Sequence, residues 1–143
     1  MLSHRSVRHF LRDALPAHTI ETMVAAAQSA PTSSNLQTWS VIAVESQERR
    51  DQLAQLVGQQ KHLSAAPLVL VWLADLSRIA RLGQAQDREP VGLHYLDTFL
   101  MGVIDAALAA QNAVVAAEAM GLGTCYIGGM RNQPEKVAEV LGT

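Results

Sequence analysis

The segment from Phe99 to Ala117, FLMGVIDAALAAQNAVVAA, constrains the fold of this 143-residue chain more than any other. Only Asp105, Gln111 and Asn112 interrupt its apolar character. A bilayer-spanning helix needs about 20 mostly apolar residues, so the length is close. An aspartate near the centre of such a helix costs roughly 2.5–3.5 kcal/mol on insertion, however, and the basic flanks that would set an orientation are missing. The segment reads instead as a helix over about residues 93–120, buried nearly all round in a soluble core. Gly102, Ala106, Ala109, Ala113 and Ala116 repeat along it and form a stripe of small residues. Such a stripe admits a closely packed helix, either an antiparallel partner within the chain or a symmetry mate in a dimer. The scarcity of polar surface favours a contribution to a dimer.

The remaining pattern is mixed. Leu15 to Thr19 leads into IETMVAAAQSA, where Ile20, Met23, Val24 and Ala27 share a helical face and Pro31 ends the run. TWSVIAV (residues 38–44) has the β-branched and aromatic content of a strand. Ser46 is placed to cap a helix over QERRDQLAQLVG, with Leu53, Leu56 and Val57 inward and Gly58 as its stop. APLVLVWLA (66–74) is a continuous apolar run too short for a typical helix, which predicts a strand covered on both faces. Residues 77–92 read as a loop or short helix, TCYIG (124–128) as a brief strand before a Gly-Gly turn, and Pro134 as the first turn of a last helix. Strands and helices do not alternate regularly, so the fold class is α+β, with one domain over residues 1–143. Three strands leave the sheet underfilled and the apolar helix in need of cover. Either a partner chain completes the fold or this is the front part of a longer protein.

Charge and cysteine content narrow the function classes. Eleven Lys and Arg stand against 13 Asp and Glu, a net charge of −2 that points to no nucleic-acid surface. Cys125 is the only cysteine, so no internal disulfide or cysteine-rich metal site can form. The N-terminus is charged at once, without the apolar core of an export signal, and a cytoplasmic location is expected.

Four polar clusters stand out. HRSVRHF (4–10) brings two guanidiniums and a hydroxyl together, a good anion clamp because arginine donates in a planar fork that fits phosphate. Its plain alternative is a solvated, frayed end. APTSSNLQTW (30–39) is either an ordinary Ser/Thr/Asn loop or a set of donors and acceptors for the edge of a polar heterocycle. GQQKH (58–62) reads by itself as an exposed helix cap. GLGTCYIGGMR (121–131) fails as a dinucleotide fingerprint, since no strand precedes its glycines and no helix directly follows them. Gly128 and Gly129 could still let bare backbone N–H groups approach a ligand. His62 and His94 are single and separated, and no catalytic triad, carboxylate pair or histidine-rich metal site is present in the pattern.

In this order and spacing, HRSVRHF, APTSSNLQTWSVIAV, GQQKH and GLGTCYIGGMRN resemble the flavin-dependent nitroreductase family. The likeness is nearest to its NADPH-preferring, oxygen-insensitive nitroreductase and flavin reductase branch and covers essentially the whole chain. It implies a nitroreductase-like α+β fold, with a mixed or antiparallel central sheet flanked by helices and the long apolar helix at a dimer interface. It also implies a homodimer with one FMN per active site in clefts between subunits. His4, Arg5 and Ser6 then correspond to residues on the FMN phosphate and ribityl chain, and Arg8 to one at the pyrimidine edge of the isoalloxazine. Thr32, Ser33, Ser34, Asn35 and Gln37 match a flavin-contacting loop, commonly of the other subunit. Gln60 and Lys61 match a polar contact near the pyrimidine ring. Tyr126, Ile127, Gly128 and Gly129 match the segment along the flavin near N5, and Arg131 either assists the phosphate of a nicotinamide donor or is structural.

The implied activity is FMN-dependent NAD(P)H oxidoreduction of nitroaromatics, quinones or free flavin. It runs by ping-pong hydride transfer through flavin N5, with no catalytic side chain, no metal, and neither nucleic acid nor membrane as partner. In the family the chain continues through another strand and a Lys/Arg pair on the FMN phosphate, and an opening helix precedes HRSxR. This sequence is therefore expected to be shortened at both ends. The alternative is a flavin-binding but catalytically idle module, or a subunit needing a partner.

Overall fold

The computed structural model describes residues 2–143. Among these lie six α-helices and two strands: α1 (Thr19–Gln28), β1 (Trp39–Val44), α2 (Gln47–Leu56), α3 (Lys61–Ala65), β2 (Val69–Ala74), α4 (Ser77–Ala85), α5 (Leu96–Ala119) and α6 (Pro134–Leu141). Short 3₁₀ turns occupy Ser33–Asn35, Val91–His94 and Gly128–Asn132. β1 pairs with β2. The pair is antiparallel, because the N–H of Asp75, just past the end of β2, donates to the carbonyl of Thr38, just before the start of β1, at 3.0 Å.

The chain divides into two compact units. The first takes the residues up to Thr19, Ile42–Val71 and Ala117–Thr143; the second takes Ile20–Val41 and Trp72–Ala116. Each unit thus holds one end of both strands.

In the first unit α2 packs against α3 and α6. Leu53, Val57, Leu63 and Leu141 form its buried centre, with Leu53 and Val57 one helical turn apart and Leu63 and Leu141 supplied by α3 and α6. The Ser46 hydroxyl accepts from the Arg49 N–H at 3.4 Å and caps α2, while Gly58 at φ 89 ends it. Asp51 accepts from Ser64 and, at 2.8 Å, from Gln47, which ties α2 to the end of α3. Pro134 opens α6, and Gly142 closes it in the left-handed conformation.

In the second unit the small-residue side of α5 faces inward: Gly102, Ala106, Ala109 and Ala113 are buried and Ala116 is half-buried. At Gly102 a side chain would come within 3.4 Å of the Ala74 methyl and the Thr38 carbonyl. Asn112 donates to the carbonyl of Ala26 at 3.2 Å, which joins α5 to α1. Trp39 and Trp72 stack tilted on the strand pair, their ring centres 5.5 Å apart.

Four expectations change. The long helix is not buried all round: Phe99, Leu100, Val103, Ile104 and Leu108 are exposed. Small residues let neighbouring backbone come close, so the chain covers that side of α5 and leaves the bulky side open. The run at 66–74 is not covered on both faces; only Val71 within β2 is buried, since the sheet has two strands and not the neighbours a central strand needs. TCYIG is not a strand. Thr124 forms a lone parallel bridge to Ser6, and Gly128–Asn132 turn as a 3₁₀ helix, because two glycines and a following proline favour a turn over a ladder. Lys61 and His62 do not cap a helix but begin α3.

Candidate functional site

The first and last polar clusters meet in the first unit. Ser6 bridges to Thr124, and the Val7 N–H donates to the Thr124 carbonyl at 2.8 Å. Gly123 makes this possible: a Cβ there would lie 2.8 Å from a methyl of Val7, closer than real side chains come. The glycine of GLG is thus a seat for the N-terminal segment. His4 adds a second anchor, its Nδ1 donating to Oε1 of Glu118 at 2.6 Å. A carboxylate only accepts, so Nδ1 carries the proton. The frayed-end alternative for HRSVRHF does not hold, since both His4 and Val7 are tied to the segment around residues 118–124. Arg5, Ser6 and Arg8 are exposed, and neither guanidinium enters a hydrogen bond or ion pair among the described residues.

The third cluster adjoins the Gly-Gly turn in the same unit. Gln59 takes φ 57, and the Gln60 amide turns back to donate to the Val57 carbonyl at 3.0 Å. A Cβ on Gly129 would lie 2.9 Å from both the Val57 carbonyl and the Val57 Cβ, and 3.2 Å from the Gln60 amide nitrogen. Gly129 therefore has a packing role at the end of α2. The Arg131 guanidinium lies over Gly128, 3.0 Å from where a side chain would start. Lys61 and Arg131 are exposed, Ile127 is half-buried, and Tyr126 is 55% exposed. The contact Tyr126 does make desolvates its phenol and raises its pKa, so the hydroxyl stays protonated at neutral pH.

Thr32, Ser33, Ser34, Asn35 and Gln37 belong to the second unit. Thr32 and Ser33 are half-buried, whereas Ser34, Asn35 and Gln37 are exposed and take φ 51, 54 and 54. Three non-glycine residues in the left-handed region within four positions is an uncommon concentration of backbone strain, of a kind that gathers at ligand sites. The loop is held from two sides. Asp105, 1% exposed, accepts from the Ser33 N–H at 3.0 Å, the Thr38 hydroxyl at 3.0 Å and the Thr38 N–H at 3.4 Å. Arg78 donates to the carbonyls of Leu36 and Gln37 at 2.9 and 2.5 Å.

Sequence reasoning weighed Asp105 only as an obstacle to membrane insertion and passed over Arg78 and Glu118. A lone carboxylate in the apolar run 99–117 was the available signal for Asp105, because such a group is kept only where donors reach it. Arg78 and Glu118 sit among ordinary polar residues and gave none. A cavity of about 590 Å³ lies along α4, bounded by residues such as Ala80, Gln84, Arg88 and His94; none of the sequence-predicted site residues lines it.

Comparison with known proteins places the chain in a family. The description of the nitroreductase family matches residues 1–143. The chain is 44% identical over 144 residues to an FMN reductase (NADPH) of Bacillus subtilis, covering 100% of this chain and 58% of that protein. It is 39% identical over 141 residues to an oxygen-insensitive NADPH nitroreductase of Salmonella typhimurium, covering 99% of this chain and 57% of the other. The structure of the NfrA1 nitroreductase of B. subtilis superposes with a TM-score of 0.96 at 44% identity, over 99% of this chain and 58% of that one. The chain thus spans under three fifths of the length of these relatives. With the family description matching from end to end and the nitroreductase-like α+β fold shared, the chain belongs to the nitroreductase family.

Proposed function

We propose that this chain is the FMN-binding part of an NAD(P)H-dependent oxidoreductase that reduces nitroaromatics, quinones or free flavin. The observation that carries the reading is the N-terminal segment, where Arg5 and Arg8 stand exposed and, among the described residues, unpaired beside Ser6, on a segment anchored by the His4 side chain and the Val7 N–H. Charged donors without partners among the described residues, on an anchored segment, match the chemistry of a phosphate monoester. The relatives' names, an FMN reductase (NADPH) and a NADPH nitroreductase, support the same reading.

When bound, FMN supplies the hydride-accepting and hydride-donating centre that no side chain here provides. The chain's own residues bind and polarise. Arg5, Ser6 and His4 hold the phosphate and ribityl end. Arg8 offsets negative charge at the pyrimidine edge, and Gln60 and Lys61 donate nearby. Thr32, Ser33, Ser34, Asn35 and Gln37 offer short donors and acceptors to a flavin, whether of the same subunit or a partner. Tyr126, Ile127, Gly128 and Gly129 flank the ring, and Arg131 serves the phosphate of the donor nucleotide or the local fold. The donor is NADPH or NADH. The open apolar side of α5 at Phe99, Val103 and Ile104 supports a homodimer, since exposed patches of this kind mark protein contacts. A cytoplasmic location suits a nicotinamide-dependent reductase.

The test is the visible spectrum of the purified chain with and without added FMN and then NADPH. Retained FMN that bleaches on NADPH addition and recovers with a quinone or nitroaromatic is the expected result. A chain that cannot be reconstituted with FMN overturns the reading, and bound flavin that never bleaches leaves an idle flavin-binding module.

A further inference from the structure

The one carboxylate buried in α5 is an expensive group to keep in an apolar helix. Transfer of an ionised carboxylate out of water carries a penalty of roughly several kcal/mol that only well-placed donors offset. Among the described residues the donors that reach Asp105 all lie on one loop, at its two ends: Ser33 at one oxygen, Thr38 at the other. The carboxylate therefore closes the segment 33–38 like a staple. Between the two points lie Ser34, Asn35 and Gln37, in a backbone region that costs about 1–2 kcal/mol per residue for side chains with a Cβ. Local preference would not keep them there; the staple and the Arg78 bonds to Leu36 and Gln37 do. Ser33 is further fixed by its hydroxyl, which donates to the Met101 sulfur at 2.9 Å, one helical turn before Asp105. The side chains that this arrangement presents to solvent are those of Ser34, Asn35 and Gln37.

We propose that Asp105 is a positioning residue, which presets the loop 33–38 so that its exposed donors meet a flavin without further ordering. The inference rests on the flavin reading above. It adds that affinity is set partly from inside α5, by a residue that never touches the ligand. A preset loop spares the ligand the ordering cost that a mobile loop would charge on binding.

Three variants test it, with Asp105→Asn, Thr38→Val and Thr38→Ser compared with the unaltered chain. FMN affinity is read by quenching of flavin fluorescence, loop order by amide hydrogen exchange, and folding by far-ultraviolet circular dichroism. Asp105→Asn and Thr38→Val are expected to weaken FMN roughly 10- to 100-fold, as loss of supporting residues does in other sites. They should also speed exchange at residues 33–38 while the α5 amides stay protected. Thr38→Ser restores the hydroxyl and should restore both. If Asp105→Asn does not fold, Thr38→Val, which keeps the shape and loses one donor, decides alone. Unaltered loop exchange in Thr38→Val overturns the staple whether or not flavin binds. FMN affinity within twofold of the parent in a variant with a loosened loop overturns the link to binding. A parent chain that binds no FMN overturns the flavin reading itself, and the exchange data then still judge the staple.

Discussion

Nδ1 of His4 lies 2.6 Å from Oε1 of Glu118, a contact between residues 114 positions apart that fixes the start of the chain against the end of α5. Both side chains are partly exposed, at 43% and 25%. The pair is therefore worth about 1 kcal/mol or less in stability. Its consequence lies in placement.

Glu118→Gln should leave the thermal midpoint nearly unchanged yet reduce the preference for FMN over riboflavin, which lacks the phosphate, by several-fold. Parallel titrations of the two flavins measure this ratio. A ratio equal to the parent's would mean that the His4 anchor does not serve the phosphate.

Arg8→Ala should weaken FMN and slow flavin reduction, because it removes the positive charge proposed for the pyrimidine edge. Loss of one charge-assisted hydrogen bond is worth about 1.5–3 kcal/mol, or roughly tenfold to a hundredfold in affinity. Equilibrium binding and stopped-flow bleaching by NADPH report the two effects separately. If neither moves, the role assigned to the opening motif is wrong.

Glycine substitutions separate the two seats in the first unit. At Gly129 a methyl group would press on the Val57 carbonyl at 2.9 Å, and backbone cannot yield as a side-chain tip can. Gly129→Ala is expected to cost about 1–3 kcal/mol. Gly123→Ala instead displaces Val7, so it should release the N-terminal segment with a smaller loss of stability. Chemical denaturation and limited proteolysis near residue 7 distinguish them; equal loss from both variants, with no new cleavage, would contradict this division.

Acid stability offers a further check. The Ser40 hydroxyl, and then the Ser77 N–H at 2.9 Å, bond the Asp75 carboxylate and hold it below its ordinary value of 3.8. A lowered folded-state pKa gives stability that is full above the unfolded value and is lost as pH falls through the folded one. Ser40→Ala should therefore destabilise by about 1 kcal/mol or less near neutrality, since Asp75 is only partly covered. The difference should shrink below about pH 4. Urea unfolding at several pH values measures it, and a constant difference down to about pH 2 would exclude the carboxylate as its source.

The resemblance was legible because four short polar clusters keep their order along the chain, and order survives without knowledge of contacts. Helices α1, α2 and α6 were legible for a local reason: apolar spacing, the Ser46 cap, Gly58 and Pro134 act within a few residues. Thr124 misled, because a β-branched and aromatic pair beside glycine satisfies strand preferences whether or not a neighbouring strand lies along its whole length. The small-residue stripe marked a packing side of α5, but the sequence left open whether the chain or a partner covers it, and did not show that the bulky side stays exposed. Every side of that helix is largely apolar, so periodicity could not say that the bulky side would stay open.

By itself, then, the sequence determined the elements whose signals are local and the family that their order marks. Only the tertiary structure decided that Gly123 receives Val7, that Glu118 holds His4, and that Asp105 closes the loop from Ser33 to Thr38. Those pairings join residues far apart in the chain. They depend on where folding brings each group, which no local pattern of side chains encodes.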